Sequence, residues 1–368
     1  MKRSCVRCQR TSPGNNLFCH DVDCPAERSP VILEPGDRVG DIEIVKQVTM
    51  LRSAAVYETL HQEQPAFMKV AHPGPQHRDR LMREAHFLRD LRVDPKARYP
   101  TLPRLRPPYA TTTLEQDAFG TTMLGRELLH YYLFDPVEAQ SLHDLLLRQP
   151  QWWIHHVGWL CIELATTLNS LHLKGLYNFG LTPDSALVWF ETKPFVPHLL
   201  LCDLGIASDS ANIASDWYPD FVPPAYLAPE LLVNGHEAPR AGVQTDVYGL
   251  GLVLYEMLVG RPVFASGLTS DAEAAEAVRR GERVVMSRVE DVSPVAEIAL
   301  RAGEPDIGRR TATAADVAEE LTAVFGDIPV KKKRGLPAMG VLMVLGGAAL
   351  VMVFLVSLAI ALSASQGQ

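Results

Sequence analysis

The chain has 368 residues, 47% apolar and 21% charged, a globular balance with length for two or three domains and a sizeable core. Its 35 basic and 43 acidic residues leave a formal charge of −8, which argues against a general nucleic-acid binder. Six cysteines over this length exclude a disulfide-dense secreted scaffold.

Four of the cysteines crowd into the first 24 residues, as Cys5-x2-Cys8 and Cys19-x4-Cys24, with Pro13, Gly14, Asn15 and Asn16 supplying a turn between the pairs. Two such pairs suit a tetrahedral thiolate site for a structural zinc ion, and His20 is a candidate substitute ligand. A zinc ribbon is therefore expected over residues 1–30, folding largely on metal energy in a reducing compartment. Four protein ligands leave no open position for catalysis. The plainer alternative is a leader of reduced cysteines. No apolar run follows the basic N-terminus, so no signal peptide is expected.

Residues 38–327 form the bulk of the chain, with no repeat and no low-complexity tract. Strands are predicted at 42–48, 55–59 and 66–70. A helix is predicted over 78–91, where Leu81, Ala85, Leu88 and Leu91 recur at helical spacing. A stretch rich in proline follows, with Pro95, Pro100, Pro103, Pro107 and Pro108. Helices then dominate, at 152–172, 243–259, 272–280, 295–302 and 314–325. The pattern is a small β-rich lobe followed by a larger helical lobe.

The C-terminal end is of another kind. No charged residue occurs from 336 to 362, long enough for a tilted membrane-spanning helix. It contributes to a mean hydropathy of +0.02. Lys331, Lys332, Lys333 and Arg334 precede it, in a basic linker at 328–335, and the tail 363–368 is uncharged. The positive-inside rule places the N-terminal part in the cytoplasm, as a single-pass protein of the cell membrane. A tail this short cannot be a folded sensor.

A set of motifs in the bulk resembles the protein kinase superfamily. Phe67-Met68-Lys69-Val70 resembles its lysine-bearing strand, and Glu84 the glutamate of the next helix. Leu171-His172 and Gly175, followed by Asn178–Val188, resemble the catalytic-loop segment. Asp203-Leu204-Gly205 matches the metal-binding aspartate motif, Ala228-Pro229-Glu230 the motif that closes the activation segment, Asp246 the aspartate of a central helix, and Arg310 the late arginine that pairs with Glu230. All stand in family order across residues 38–327. The resemblance implies an α+β, two-lobed kinase-like fold. The domain-then-span arrangement is similar to bacterial serine/threonine receptor-type kinases.

The same resemblance shows what is missing. The family's three lid glycines, which let backbone approach phosphates, fall on Thr49, Leu51 and Ala54. Gly180 stands for the aspartate that takes the substrate proton, Thr182 for the lysine that steadies the phosphate, and Ser185 for the asparagine that holds a second magnesium. Pro223 replaces a threonine that bonds to two of those groups, and proline has no such donor. Losing a general base alone costs about 10²–10⁴-fold. Asp184 is the nearest candidate substitute base.

Lys69, Glu84 and Asp203 survive. The resemblance implies that they hold the phosphates of ATP, the lysine itself and one magnesium; the alternative is a structural ion pair within the small lobe. Glu230, Asp246 and Arg310 are structural positions of the family. Ser208, Ser210, Ser215 and Tyr218 lie where active relatives are phosphorylated, and exposed serines are also ordinary in loops. Trp152, Trp153 and Trp159, with His155 and His156, read as lobe packing, and His172 as a packed helix-end histidine. The expectation is a membrane-tethered pseudokinase that scaffolds or regulates serine/threonine phosphosignalling through protein partners, with zinc in the ribbon. A low-efficiency ATP-dependent serine/threonine kinase acting on protein substrates is the alternative.

Overall fold

The computed structural model describes residues 2–5, 11–13, 30–93, 99–106, 118–191, 195–205, 208–209, 211–232, 241–264 and 270–329. The chain divides after Ile328 into two units, and nearly all of the second, with the predicted span at 336–362 and the basic linker from 330 on, lies outside the described residues. Among the described residues no helix is long and apolar enough to cross a membrane.

Three short strands open the chain: β1 (Lys2–Ser4), β2 (Thr11–Pro13) and β3 (Val31–Ile32). The first pairs antiparallel with each of the other two. Of the four predicted zinc ligands only Cys5 is described, and it is buried; Cys8, Cys19 and Cys24 lie outside the described residues, as does His20.

The small lobe is a six-stranded antiparallel sheet in the order β4-β5-β6-β7-β9-β8. Its strands are β4 (Arg38–Val39), β5 (Ile42–Met50), β6 (Ala54–His61), β7 (Gln64–Ala71), β8 (Gly120–Leu124) and β9 (Glu127–Phe134), with helix α1 (Pro75–Val93) between β7 and β8. Successive residues of a strand face opposite sides. Ala54, Val56, Phe67, Tyr132 and Phe134 therefore join the core on one side, and Ala55, Tyr57, Met68, Val70 and Tyr131 a second core with Leu33 on the other. Burial on both faces explains the near-continuous apolar runs of β6 and β7. The Leu33 N–H donates to the Tyr57 hydroxyl, whose pKa burial pushes up to about 12.

The large lobe comprises β10 (Gln140–Ser141), α2 (Leu142–Arg148), α3 (Ile154–His172), β11 (Leu176–Tyr177), β12 (Ala186–Phe190), β13 (Pro197–Leu201), β14 (Ser208–Asp209), α4 (Ile213–Asp216), α5 (Val243–Val259), α6 (Asp271–Arg280), α7 (Ser293–Ala302) and α8 (Ala314–Phe325). The five predicted helices of this lobe are all present, within two residues at each end. The α2 helix and strands β8, β9, β12 and β13 are additions. Apart from β8, whose sequence GTTML is half polar, each is a short, largely apolar run without a clear period, where sequence alone does not separate strand from helix.

Helix α5 is buried nearly all round, the pattern of a helix at the centre of a lobe. Its glycines let neighbours approach. A Cβ on Gly251 would sit 2.3 Å from the Gly303 nitrogen, a backbone atom that cannot rotate away. Gly251→Ala is accordingly expected to destabilise the protein by about 1–3 kcal/mol, from overpacking between α5 and α7. Urea denaturation of the variant beside wild type measures this.

Candidate active site: a kinase-like cleft closed by its own side chains

Strand β7 presents Lys69 to the α1 side of the sheet, opposite Tyr132 of β9. Helix α1 brings Glu84 to the same point, and the loop after β13 brings Asp203. The Lys69 ammonium donates to Glu84 Oε2 at 2.7 Å and to Asp203 Oδ1 at 2.9 Å. The Tyr132 hydroxyl donates to Glu84 Oε1 at 2.6 Å. The three surviving residues singled out in the sequence therefore meet in one buried cluster.

A fourth residue completes it. Arg80, one helical turn before Glu84, donates from Nη2 to Asp203 Oδ2 at 2.8 Å. Its guanidinium lies 4.6 Å from the Phe221 ring centroid. Lys69, Arg80, Glu84 and Asp203 are all under 5% exposed. Their formal charges sum to zero. Sequence reasoning missed Arg80, although a signal was present: residues four apart share a helix face, so an arginine four before Glu84 must point where Glu84 points.

Burial opposes each charge, and the partners decide the outcome. Burial works against the Lys69 ammonium, but Asp203 and Glu84 raise its pKa above the ordinary lysine value. Burial likewise works against the Asp203 carboxylate, but Arg80 and Lys69 hold its pKa below the usual value. For Glu84 burial prevails and its pKa rises.

The catalytic-loop positions keep their backbone shape. Asp246 of α5 accepts from the Asn178 and Phe179 N–H groups at 2.9 and 2.6 Å and from the His172 ring at 2.8 Å. Phe179 is held at φ +52°, a left-handed conformation rare for an aromatic residue. Asn178 donates from Nδ2 to the Asp203 carbonyl and accepts the Gly180 N–H. Gly205 must be glycine: its φ is +66°, and a Cβ would fall 1.7 Å from the Asn178 oxygen.

The side chains that the resemblance expects at those positions are replaced by Gly180, Thr182 and Ser185. A Cβ on Gly180 would meet Val222 Cγ2 at 3.0 Å and Arg80 Nη2 at 3.7 Å, so the space beside it is occupied. The Ser185 hydroxyl donates to the Thr182 carbonyl and accepts the Thr182 N–H, a local turn that uses the group up. Burial raises the Asp184 pKa, and the charges next felt are His143 and Asp144 of α2. It takes no part in the Lys69 cluster.

The lid is also filled. Thr49, Leu51 and Ala54, at the glycine positions, are buried. The Thr49 hydroxyl donates to the Asp184 carbonyl at 3.1 Å, and the His72 ring donates to the Leu51 carbonyl at 2.8 Å. At the hairpin tip Arg52 makes a bidentate pair with Asp271, at 2.9 and 2.8 Å. A magnesium ion needs carboxylate oxygen at about 2.0–2.1 Å. Both Asp203 oxygens already accept short N–H bonds from buried cations, so a metal ion placed there would have to share them with Lys69 and Arg80 or displace one.

Arg310 makes a bidentate pair with Glu230 at 2.7 and 3.1 Å, and Thr245 donates to Glu230. Trp152 and Trp159 are buried, and Trp153 is half-exposed against His155 and His156. Tyr218 is exposed, while Ser210 and the side chains of Ser208 and Ser215 lie outside the described residues. Among the described residues, no group of three or more His, Cys, Asp or Glu side chains could hold a metal ion.

Comparison with known proteins agrees with this fold. The protein kinase domain family matches residues 122–314, more than half of the chain, and the chain belongs to that family. A RAC family serine/threonine-protein kinase homolog of Dictyostelium discoideum is 31% identical over 136 residues, 36% of this chain and 28% of that protein. Calcium/calmodulin-dependent protein kinase type II subunit delta of Oryctolagus cuniculus is 26% identical over 141 residues, 38% of this chain and 25% of that protein. Serine/threonine-protein kinase ULK3 of Xenopus laevis is 33% identical over 113 residues, 30% of this chain and 22% of that protein. The chain thus matches about a quarter of the length of these relatives.

The lid contact has a pH signature. Burial lowers the His72 pKa from 6.5 to about 3. Between these values the unfolded chain binds the proton and the native one does not, so this group's contribution is full above pH 6.5 and is lost toward pH 3. The slope is at most about 1.4 kcal/mol per pH unit. His72→Gln keeps an N–H donor for Leu51 and removes the titration. The variant is expected to lose less stability than wild type between pH 7 and 5, as measured by urea unfolding at each pH.

Proposed function

We propose that the chain is a pseudokinase: a kinase-fold module that binds protein partners in serine/threonine phosphosignalling and does not transfer phosphate. One observation carries the reading. Gly180 has no side chain to take a proton, and Val222 and Arg80 border the space where one would act. Thr182, Ser185 and Pro223 remove the supporting groups. The Asp246 and Glu230–Arg310 contacts favour a large lobe that holds its shape, as a docking module must.

In this reading the apolar segment 336–362 anchors the protein in the cell membrane, with the basic residues 331–334 keeping the kinase-like domain on the cytoplasmic side. Cys5, Cys8, Cys19 and Cys24 hold a structural zinc ion. Metal analysis of the full chain is expected to give one zinc per protein, lost in Cys8→Ser.

The assembled Lys69–Glu84 pair favours a second reading, a low-efficiency kinase. Full-length protein incubated with labelled ATP, magnesium and basic protein substrates separates the two. Incorporation equal to that of Asp203→Asn is the expected result. Incorporation that Lys69→Ala and Asp203→Asn both abolish would establish the kinase reading instead.

A further inference from the structure

The Asp203 carboxylate lies where the family resemblance puts a metal ligand, yet both its oxygens are met by nitrogen. Lys69 takes one oxygen at 2.9 Å and Arg80 the other at 2.8 Å. A divalent ion on Oδ2 would have to share that oxygen with the guanidinium or displace it. It would also bring two further positive charges beside two buried cations, in a cluster already neutral. The guanidinium is planar, always charged and weakly hydrated, which suits it to a buried site better than a hydrated metal ion.

Arg80 crosses between lobes. Its helix belongs to the small lobe, and Asp203 and Phe221 belong to the large one. Nη1 approaches the Phe221 carbonyl at 3.5 Å while the ring lies against the guanidinium. Other contacts cross the same gap, among them Lys69 to Asp203, Arg83 to Asp216, Thr49 to the Asp184 carbonyl and Arg52 to Asp271. In a working kinase of this fold, metal and nucleotide supply charge at this place. Here the charge comes from the chain.

We propose that Arg80 is an internal cation that takes the place of a divalent metal on Asp203 and holds the lobes together. The closed form of this domain then needs neither metal nor nucleotide, and partner binding is constitutive rather than gated by nucleotide. This goes beyond the pseudokinase reading, which rests on Gly180. Metal on Asp203 of the wild-type protein would overturn the internal cation and leave the absence of phosphotransfer untouched.

The test uses full-length protein in detergent, Mn²⁺ as the probe, electron paramagnetic resonance to count bound ion, and thermal unfolding. Wild type is expected to bind no Mn²⁺ that Asp203→Asn removes, with or without ATP. Arg80→Gln is expected to unfold at lower temperature, to bind Mn²⁺ roughly tenfold or more tightly than wild type, as an uncovered buried carboxylate should, and to recover stability as Mn²⁺ is added. The gain should vanish in Arg80→Gln/Asp203→Asn. Asp203-dependent Mn²⁺ in wild type, or a folded Arg80→Gln that gains none, overturns the proposal. If Arg80→Gln does not fold, Arg80→Lys keeps the cation and is expected to fold without Mn²⁺. In that case Asp203→Asn should restore folding to Arg80→Gln by returning the cluster to zero net charge, and failure to restore it overturns the proposal.

Discussion

The buried carboxylate of Asp203 is the constraint around which the cleft is built. A charge taken out of water costs several kcal/mol unless it is paired and hydrogen-bonded. Two cations from two elements meet it, Lys69 from β7 and Arg80 from α1. That requirement sets the position of α1 against the sheet. It also places Glu84, the next acidic group on the same helix face, where Lys69 can bridge the two carboxylates. Tyr132, paired with Lys69 across the strands, takes the remaining Glu84 oxygen. The backbone answers from the other side, since Gly205 can turn against the Asn178 carbonyl only without a Cβ.

The shape of the loop that follows rests on bonds made by its backbone N–H groups. Phe179 is held in a conformation that ordinarily costs about 1–3 kcal/mol for a residue other than glycine. Two N–H bonds to the buried Asp246 carboxylate hold it there. Such bonds to a charged acceptor are worth about 1.5–3 kcal/mol each, enough to offset the strain. The loop therefore keeps its form whether or not position 180 carries a reactive group. Glu230 and Arg310 act in the same way at the far end of the activation segment. Their pair depends on a fully buried guanidinium and a carboxylate, and on nothing that phosphate transfer requires.

Much of this was legible in sequence because the fold is marked by single residues at long intervals. Lys69, Glu84, Asp203, Glu230, Asp246 and Arg310 lie on six different elements or loops, and their order is enough to place the cleft. Helices α5 and α8 were readable to the residue because long apolar periods end at Gly260 and Gly326. Strands β8 and β9 were not, since eight residues such as Glu127–Phe134 carry no period that separates a strand from a helix. Arg80 was hidden for another reason. Arginines on a surface helix are ordinary, and α1 has several. Only the rotation that Glu84 imposes tells which of them turns inward.

The lid and the arginine both join the two lobes, but they are not equal. At the tip of the β5–β6 hairpin the side chains of Thr49, Leu51 and Ala54 are buried. The Arg52–Asp271 pair at the tip is partly exposed, at 10% and 28%, and pairs toward the solvent contribute about 1 kcal/mol or less. Removing one partner of a fully buried pair costs about 3–5 kcal/mol, because the other charge is left stranded. The Arg83–Asp216 pair is likewise partly exposed, at 29% and 17%, so the fully buried part of the hold between the lobes is at Asp203. The hairpin adds its partly exposed contacts to the buried one that Arg80 makes with Asp203.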